Sequence, residues 1–245
     1  MEVSKVRDLT LIEIDESKIM VIACDSCVSI GMKPGDELKV PPSVSGKFTA
    51  RVCIMEVLCS GAEVVTVADA ICNEMKTTGE EIIAGIKEEL LSANIKDIAL
   101  TGSTEENFAT SMTAVGITVI GITSGEKIRV NNVKENSMVV SIGIPKVGSE
   151  INFYGDEEIF QYEQLNILLN TEGVLEIVPV GSKGILYEVN QIATCNNMKF
   201  IQNDNIKIDI NKSGGPSTVA VAAVTKQAFE KIKTLKNLNI LGNLI

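Results

Sequence analysis

The chain has 245 residues, 45% apolar and 22% charged, which specifies a folded protein with core enough for one large domain or two ordinary ones. A formal charge of −10, with no Lys/Arg-rich run to offset it, argues against binding to a phosphate backbone. Histidine is absent, so triad hydrolysis and imidazole proton shuttles are excluded, and acid–base work falls to Asp, Glu, Lys or Cys.

From the N-terminus, MEVSKVRDLTLIEID alternates like a strand and lacks a secretory apolar region, so the expected location is the cytoplasm. No apolar run approaches the ~20 residues that cross a bilayer. Leu9–Ile14 and Lys18–Ala23 read as a hairpin around the turn Asp15–Ser17, and the second strand leads into Asp25 at its end. Met32–Ser45, rich in Pro, Gly and charge, reads as a long loop of the functional or mobile kind. From Gly46 the period becomes helical: Val52, Met55, Glu56 and Cys59 share a face, and Gly61 supplies the stop. Glu63–Ala68 is a β-branched strand ending at Asp69, and Thr78 is the N-cap expected before an amphipathic helix over Glu80–Ala93. Ile98–Leu100 is the next strand, followed by the turn TGSTEENF and the long β-branched strand Thr113–Thr123.

After Gly125 the texture shifts. Lys127–Gly148 holds two short strands and a loop, Glu158–Asn170 a helix, Gly173–Val180 a strand and Lys183–Thr194 a helix opened by GSKG. Ile206–Ile210 is followed by the turn NKSGGPST, the strand Val219–Val224 and a last helix, Thr225–Lys236. Alternating elements in both halves make the chain α/β (α+β), in two domains, 1–125 and 126–245.

Strand ends in such folds are where ligands sit, and two of them here are polar and acidic. Asp25 follows MVIAC beside Ser26 and Ser29. The segment Thr101–Asn107 offers hydroxyls, two carboxylates and an amide, a pattern in which backbone N–H groups hold phosphate and carboxylates hold magnesium. Asp69, Asn73 and Glu74 follow another strand and either bind a ribose hydroxyl or cap the next turn. Glu56 sits among Met55, Val57 and Leu58, where a carboxylate needs a partner and a hard cation is one. Cys24 and Cys27 form a CxxC, but a structural zinc needs two more ligands, and most of the six cysteines sit among apolar neighbours as small buried hydrophobes do.

These spacings resemble the aminoimidazole ribonucleotide synthetase (PurM-like) superfamily, which includes thiamine-monophosphate kinase, selenophosphate synthetase and a hydrogenase-maturation protein. Its early strand-end Asp matches Asp25. Its helix carries an acid five positions before Gly-Ala, as Glu56 precedes Gly61 and Ala62. Its Gly-Gly-acidic-Thr turn corresponds to Thr101-Gly102-Ser103-Thr104, and the following strand runs to Gly121. Two acids differ: the helix Asp is Glu56 and the turn acid is Ser103, with acidity returning at Glu105 and Glu106. The strings ACDSC, ADAICNEM and LTGSTEENF look most like the α-ribazole kinase branch.

The resemblance implies a two-domain fold whose N-terminal mixed-sheet domain builds a dimeric β-barrel, beside a C-terminal α/β domain. It implies ATP and Mg2+, with metal on Asp25, Glu56, Glu105 and Glu106 and nucleotide on Gly102, Ser103, Thr104 and Asn107. Asp25 and Glu105 would carry the chemistry, and Asp69, Asn73 and Glu74 would hold a small nucleoside. The expected activity is phosphorylation of α-ribazole by a homodimer that engages neither nucleic acid nor membrane. A different ATP-dependent member, or a non-catalytic nucleotide binder, is the alternative.

Overall fold

The structure is a computed structural model that describes residues 2–245. They form two compact units, residues 2–58 with Ala62–Glu126, and Cys59–Gly61 with Lys127–Ile245.

The first unit is built on a sheet of six strands: β1 (Val3–Val6), β2 (Leu9–Asp15), β3 (Lys18–Val28), β6 (Glu63–Ile71), β7 (Ala99–Ser103) and β8 (Ala114–Thr123). A two-residue pairing, β4 (Ile30–Gly31) with β5 (Leu38–Lys39), lies between β3 and the helix α1 (Pro42–Cys59), and α2 (Glu80–Ser92) follows β6. The order is β1-β2-β3-β8-β6-β7, antiparallel except for the β6–β7 pair, so the sheet is mixed as expected.

β8 is central, and its burial alternates along its length, with Val115, Ile117 and Val119 buried and Gly116, Thr118 and Ile120 half-buried. The buried face lies under α1, where Cys53 donates through Sγ to the Ile117 carbonyl and Val57 packs at Gly121. The two helices touch through glycine. A Cβ on Gly46 would collide with the Ile82 carbonyl and one on Gly85 with the Ser43 carbonyl, so the backbones can approach only because both side chains are missing. Beside that contact, Arg51 pairs with Glu89 at 3.2 Å, both buried.

Several expected boundaries move. β3 runs to Val28, so Asp25 lies inside the strand, because ladder pairing with β8 continues to Val28↔Ala114. β6 runs past Asp69 to Ile71, and β7 takes in Thr101, Gly102 and Ser103, which pair with Ala68, Asp69 and Ala70 instead of forming a turn. The Met32–Ser45 loop is replaced by the β4–β5 pairing and by α1, which opens at Pro42, where proline's missing N–H costs nothing. Thr78 is not the cap of α2: Gly79 holds that place, and the Thr78 hydroxyl donates to Glu74 Oε1 at 3.1 Å.

The second unit has five strands, β9 (Ser137–Gly143), β10 (Val174–Pro179), β11 (Phe200–Gln202), β12 (Val219–Val224) and β13 (Leu238–Leu244), in the order β10-β12-β9-β13-β11. Every pair is antiparallel, so this half is α+β, not the alternating parallel kind. The helices are α3 (Tyr162–Leu169), α4 (Ile185–Cys195) and α5 (Lys226–Ile232), the last capped by Thr225, whose hydroxyl accepts from Ala228 N. Val178, Val189, Ile192, Val219, Val221 and Leu244 are among its core residues. Lys127–Gly148 contains one strand, not two. Among the described residues no helix is long and apolar enough to cross a membrane.

Gly85→Ala should lower the unfolding free energy by about 1–3 kcal/mol, the cost of over-filling a close contact. Gly125→Ala, where a Cβ meets nothing within 4 Å, should change it by less than about 0.5 kcal/mol. Urea unfolding of the two variants checks both; equal stability would show that the α1–α2 approach does not depend on glycine.

Candidate active site

Register places the acidic residues. Asp25 on β3 and Asp69 on β6 both pair with Ile117 of β8, and Asp69 pairs in turn with Gly102 of β7. Paired residues share a face, so the two carboxylates stand on the helix-covered face, separated by two strand spacings of ~4.8 Å each. Asp25 is half-buried. Burial raises its proton affinity above the ordinary carboxylate range, a shift opposed by the Ser26 N–H and reinforced by the charge of Asp8. Glu56 on α1 belongs to the same neighbourhood: burial pushes the Cys53 thiol up, and the charges of Asp25 and Glu56 both add to that push.

Asp69 is 8% exposed, and burial alone raises its proton affinity. Its carboxylate lies over Gly102, where any Cβ would run into it. It faces a cavity of about 320 Å³ lined also by Met75, Ile83, Lys87, Leu100 and the Thr101–Thr104 segment. Lys87 was not legible as a site residue, although Ile83 and Lys87 at i, i+4 mark one face of α2.

Asn73 and Glu74 do not belong with Asp69. Asn73 has 0% exposure; its Nδ2 donates to Thr110 Oγ1 and to the Met112 carbonyl, and its Oδ1 accepts from Ala114 N. With no surface, both amide hydrogens donated and its oxygen accepting internally, it braces the 104–112 segment instead of touching a ligand. Glu74 is engaged by Lys33 Nζ at 2.6 Å and by the hydroxyls of Thr78 and Thr110. The Lys33 bond is the chief cause that holds its carboxyl down to about 2. Asp36, hidden in the supposed loop, does similar work: it accepts from Lys33 N, Thr113 N and Thr113 Oγ1. Nothing in the sequence marked it, since its partner Thr113 lies 77 residues away.

Glu105 and Glu106 also spend oxygens locally. Glu105 accepts from Asn107 N at 2.6 Å, and Glu106 Oε1 accepts from Met75 N and Thr104 Oγ1 at 2.8 Å each. The expected four-carboxylate metal cluster is not preassembled: among the described residues no three His, Cys, Asp or Glu side chains come together as a cage. Magnesium does not require one, since it ordinarily takes one or two carboxylates plus substrate phosphates. Asp25 and Glu56 are oxygen donors whose charges both act on the Cys53 thiol. The CxxC residues diverge. Cys24 Sγ accepts from Thr118 Oγ1 on the open face, whereas Cys27 interacts with Ser45 and Thr49 of α1.

The Lys33–Glu74 pair gives a signed pH dependence. A carboxyl held down to about 2 contributes stability that is complete above its ordinary 4.5 and lost as pH falls toward 2. Lys33→Met should therefore be less stable than the parent at pH 6, with the gap closing between pH 4.5 and 2 in thermal unfolding. A constant gap across that window would show that the pair is not the source.

No curated protein matches the sequence. Residues 7–123 match the family described as AIR synthase related protein, N-terminal domain. Among solved structures, AaThiL complexed with AMPPCP and TMP shares the fold at a TM-score of 0.67 and 11% identity, over 98% of this chain and 86% of that one. PurL of T. maritima complexed with ATP gives 0.68 and 15%, over 96% of this chain, which spans only 42% of PurL. A crystal structure of the HypE–HypF complex gives 0.64 and 15%, over 96% and 86%. Residues 7–123 thus resemble an AIR synthase related N-terminal domain, and the chain shares its fold with ThiL, PurL and HypE.

Proposed function

We propose that this protein is an ATP-dependent kinase that phosphorylates the 5′-hydroxyl of α-ribazole, a neutral nucleoside. The observation that carries this reading is the pair of desolvated carboxylates, Asp25 and Asp69, level with each other on one face of the sheet. It is supported by the family match over residues 7–123, by the ATP or ATP analogue named with ThiL and PurL, and by the strings ACDSC, ADAICNEM and LTGSTEENF.

In this reading residues 1–125 form the nucleotide- and metal-binding domain, which dimerises through its sheet, and residues 126–245 form the second domain. Phosphoryl transfer asks for positioning and charge neutralisation more than covalent chemistry. Asp25 and Glu56 would hold magnesium, which when bound neutralises charge on the triphosphate. Gly102, Ser103, Thr104 and Asn107, at and beyond the end of β7, would form the nucleotide-binding segment. Glu105, half-buried after β7, takes the proton from O5′ as the bond from that oxygen to the γ-phosphorus forms and the bond from phosphorus to ADP breaks. None of the six cysteines is in a disulfide among the described residues, which suits a reducing compartment, the cytoplasm.

α-Ribazole with MgATP should release ADP and give a product phosphorylated on the ribose 5′-oxygen by mass spectrometry. Thiamine monophosphate and formylglycinamidine ribonucleotide, which already carry phosphate, should go unused. Asp25→Asn and Glu105→Gln should each lower turnover at least tenfold at saturating substrate with unchanged circular dichroism. A wild-type rate in either variant removes that residue from the chemistry. ADP release with a phosphorylated substrate, and none with α-ribazole, rejects the acceptor assignment.

A further inference from the structure

Asp36, Asn73 and Asp156 are each at most 9% exposed and each is held by several hydrogen bonds: Asp156, for example, accepts from Lys146 Nζ, Asn152 N and Glu158 N. Asp69 stands apart. It is as buried as these, and burial is the sole influence on its proton affinity, with no donor acting on the carboxylate. Removing a carboxylate from water without a partner is unfavourable, and such groups persist where a ligand supplies the partner.

The surroundings restrict what that ligand is. Asp69 belongs to no group of three or more His, Cys, Asp or Glu side chains that could cage a metal among the described residues. The other charged group lining the cavity is the ammonium of Lys87, which disfavours a cation, while Asp69 disfavours an anion. A neutral ligand remains, and toward a bare carboxylate it must donate hydrogen bonds. Apolar walls from Met75, Ile83 and Leu100 stand beside the hydroxyls of Thr101, Ser103 and Thr104, so the ligand carries an apolar ring or face as well as donors. A cavity of about 320 Å³ is at the small end of ligand pockets and suits a single nucleoside-sized molecule. Gly102 completes the site: with any side chain there, the carboxylate would be displaced.

We propose that the Asp69 cavity binds the sugar of a neutral ribonucleoside, with the two carboxylate oxygens of Asp69 accepting from the vicinal 2′- and 3′-hydroxyls, which makes Asp69 the residue that selects for a diol. This rests on the kinase reading for the identity of the acceptor, though not for the existence of the site. A site built to receive hydroxyl donors rejects an analogue that lacks them far more strongly than an apolar pocket rejects a missing methylene. The same logic predicts a trade: removing the unpartnered charge should stabilise the unliganded protein while it weakens binding.

The test is calorimetry without ATP, using α-ribazole, adenosine and cytidine, and the 2′,3′-dideoxy form of each, on the parent chain, Asp69→Asn and Gly102→Ala, with melting temperatures and ADP release measured in parallel. The parent should bind at least one ribonucleoside and bind its dideoxy form at least 100-fold more weakly. Asp69→Asn should lose at least tenfold for the ribonucleoside, be indifferent to the dideoxy form, and melt higher than the parent. Gly102→Ala keeps the charge but displaces it, and should show the same loss of binding. The proposal is overturned if the parent binds none of the nucleosides, if Asp69→Asn binds them as tightly as the parent, or if Asp69→Asn melts lower, as a bracing residue would. Diol-dependent binding with no ADP release by the parent would sustain this site and reject the kinase reading; ADP release with an unchanged KM for α-ribazole in Asp69→Asn would do the reverse.

Discussion

The register of β3 and β6 against β8 is the constraint on which the first unit depends. Both flanking strands meet β8 at Ile117, and this fixes Asp25 and Asp69 on the face covered by α1 and α2. Side chains alternate along a strand, so a slip of one residue in either pairing would send that carboxylate to the opposite face and expose the apolar set that β8 now buries. The register is held by that apolar set: Val21 and Ala23 on β3, Val67 and Ile71 on β6, and Val115, Ile117 and Val119 on β8 are all buried. The acids thus occupy core-facing positions that the hydrophobic pattern, not their own chemistry, has chosen.

That arrangement separates two kinds of polar residue that look alike in the sequence. Asp36, Asn73 and Glu74 are tied to backbone N–H groups, hydroxyls or an ammonium, and their bonds hold the 29–39 and 104–114 segments against the ends of β3, β6 and β8. Asp25 and Asp69 are desolvated without comparable compensation. The first group lowers its own free energy by folding, whereas the second raises it, so only the second needs something from outside the chain. The charge sign agrees: Glu74 is held down to about 2, while burial moves Asp25 and Asp69 the other way.

Where the sequence carried a strong physical signal, the elements were legible. Val219–Val224 appears as a strand with the same bounds because its six residues are all apolar and all buried, and α2 ends within one residue of its expected limit because its apolar stripe and acidic first turn are both clear. The misplaced ends share a cause. Ser26 and Ser103 are small, polar and exposed, so they read as turns, yet backbone pairing to Gly116 and Ala70 continues through them. β13, LNILGNL, went unread because glycine and asparagine interrupt its apolar pattern, and only pairing with β9 and β11 makes it a strand. Among the site residues, Asp25 and Asp69 could be read from the apolar runs that precede them. That Asn73 would be closed off and Asp69 left bare could not, since the difference lies in partners such as Met112 and Thr110, nearly forty residues distant.

The geometry at Gly102 bears on the resemblance drawn from the sequence, which would set an acid where this chain has Ser103. Successive residues on β7 face opposite ways, and the direction of a Cβ on Gly102 is the one that meets Asp69. An acid at 103 would therefore project from the other side of the sheet. Here the carboxylate comes instead from the neighbouring strand, over Gly102 and into the cavity beside Ile83 and Lys87 of α2. The end of β7 keeps an acidic group, but on the helix-covered face, desolvated, where it can discriminate between ligands by hydrogen bonding rather than screen its charge in water. With no side chain at 102 and a small one at 103, the Asp69 carboxylate is the acid that faces the helices beside the end of β7.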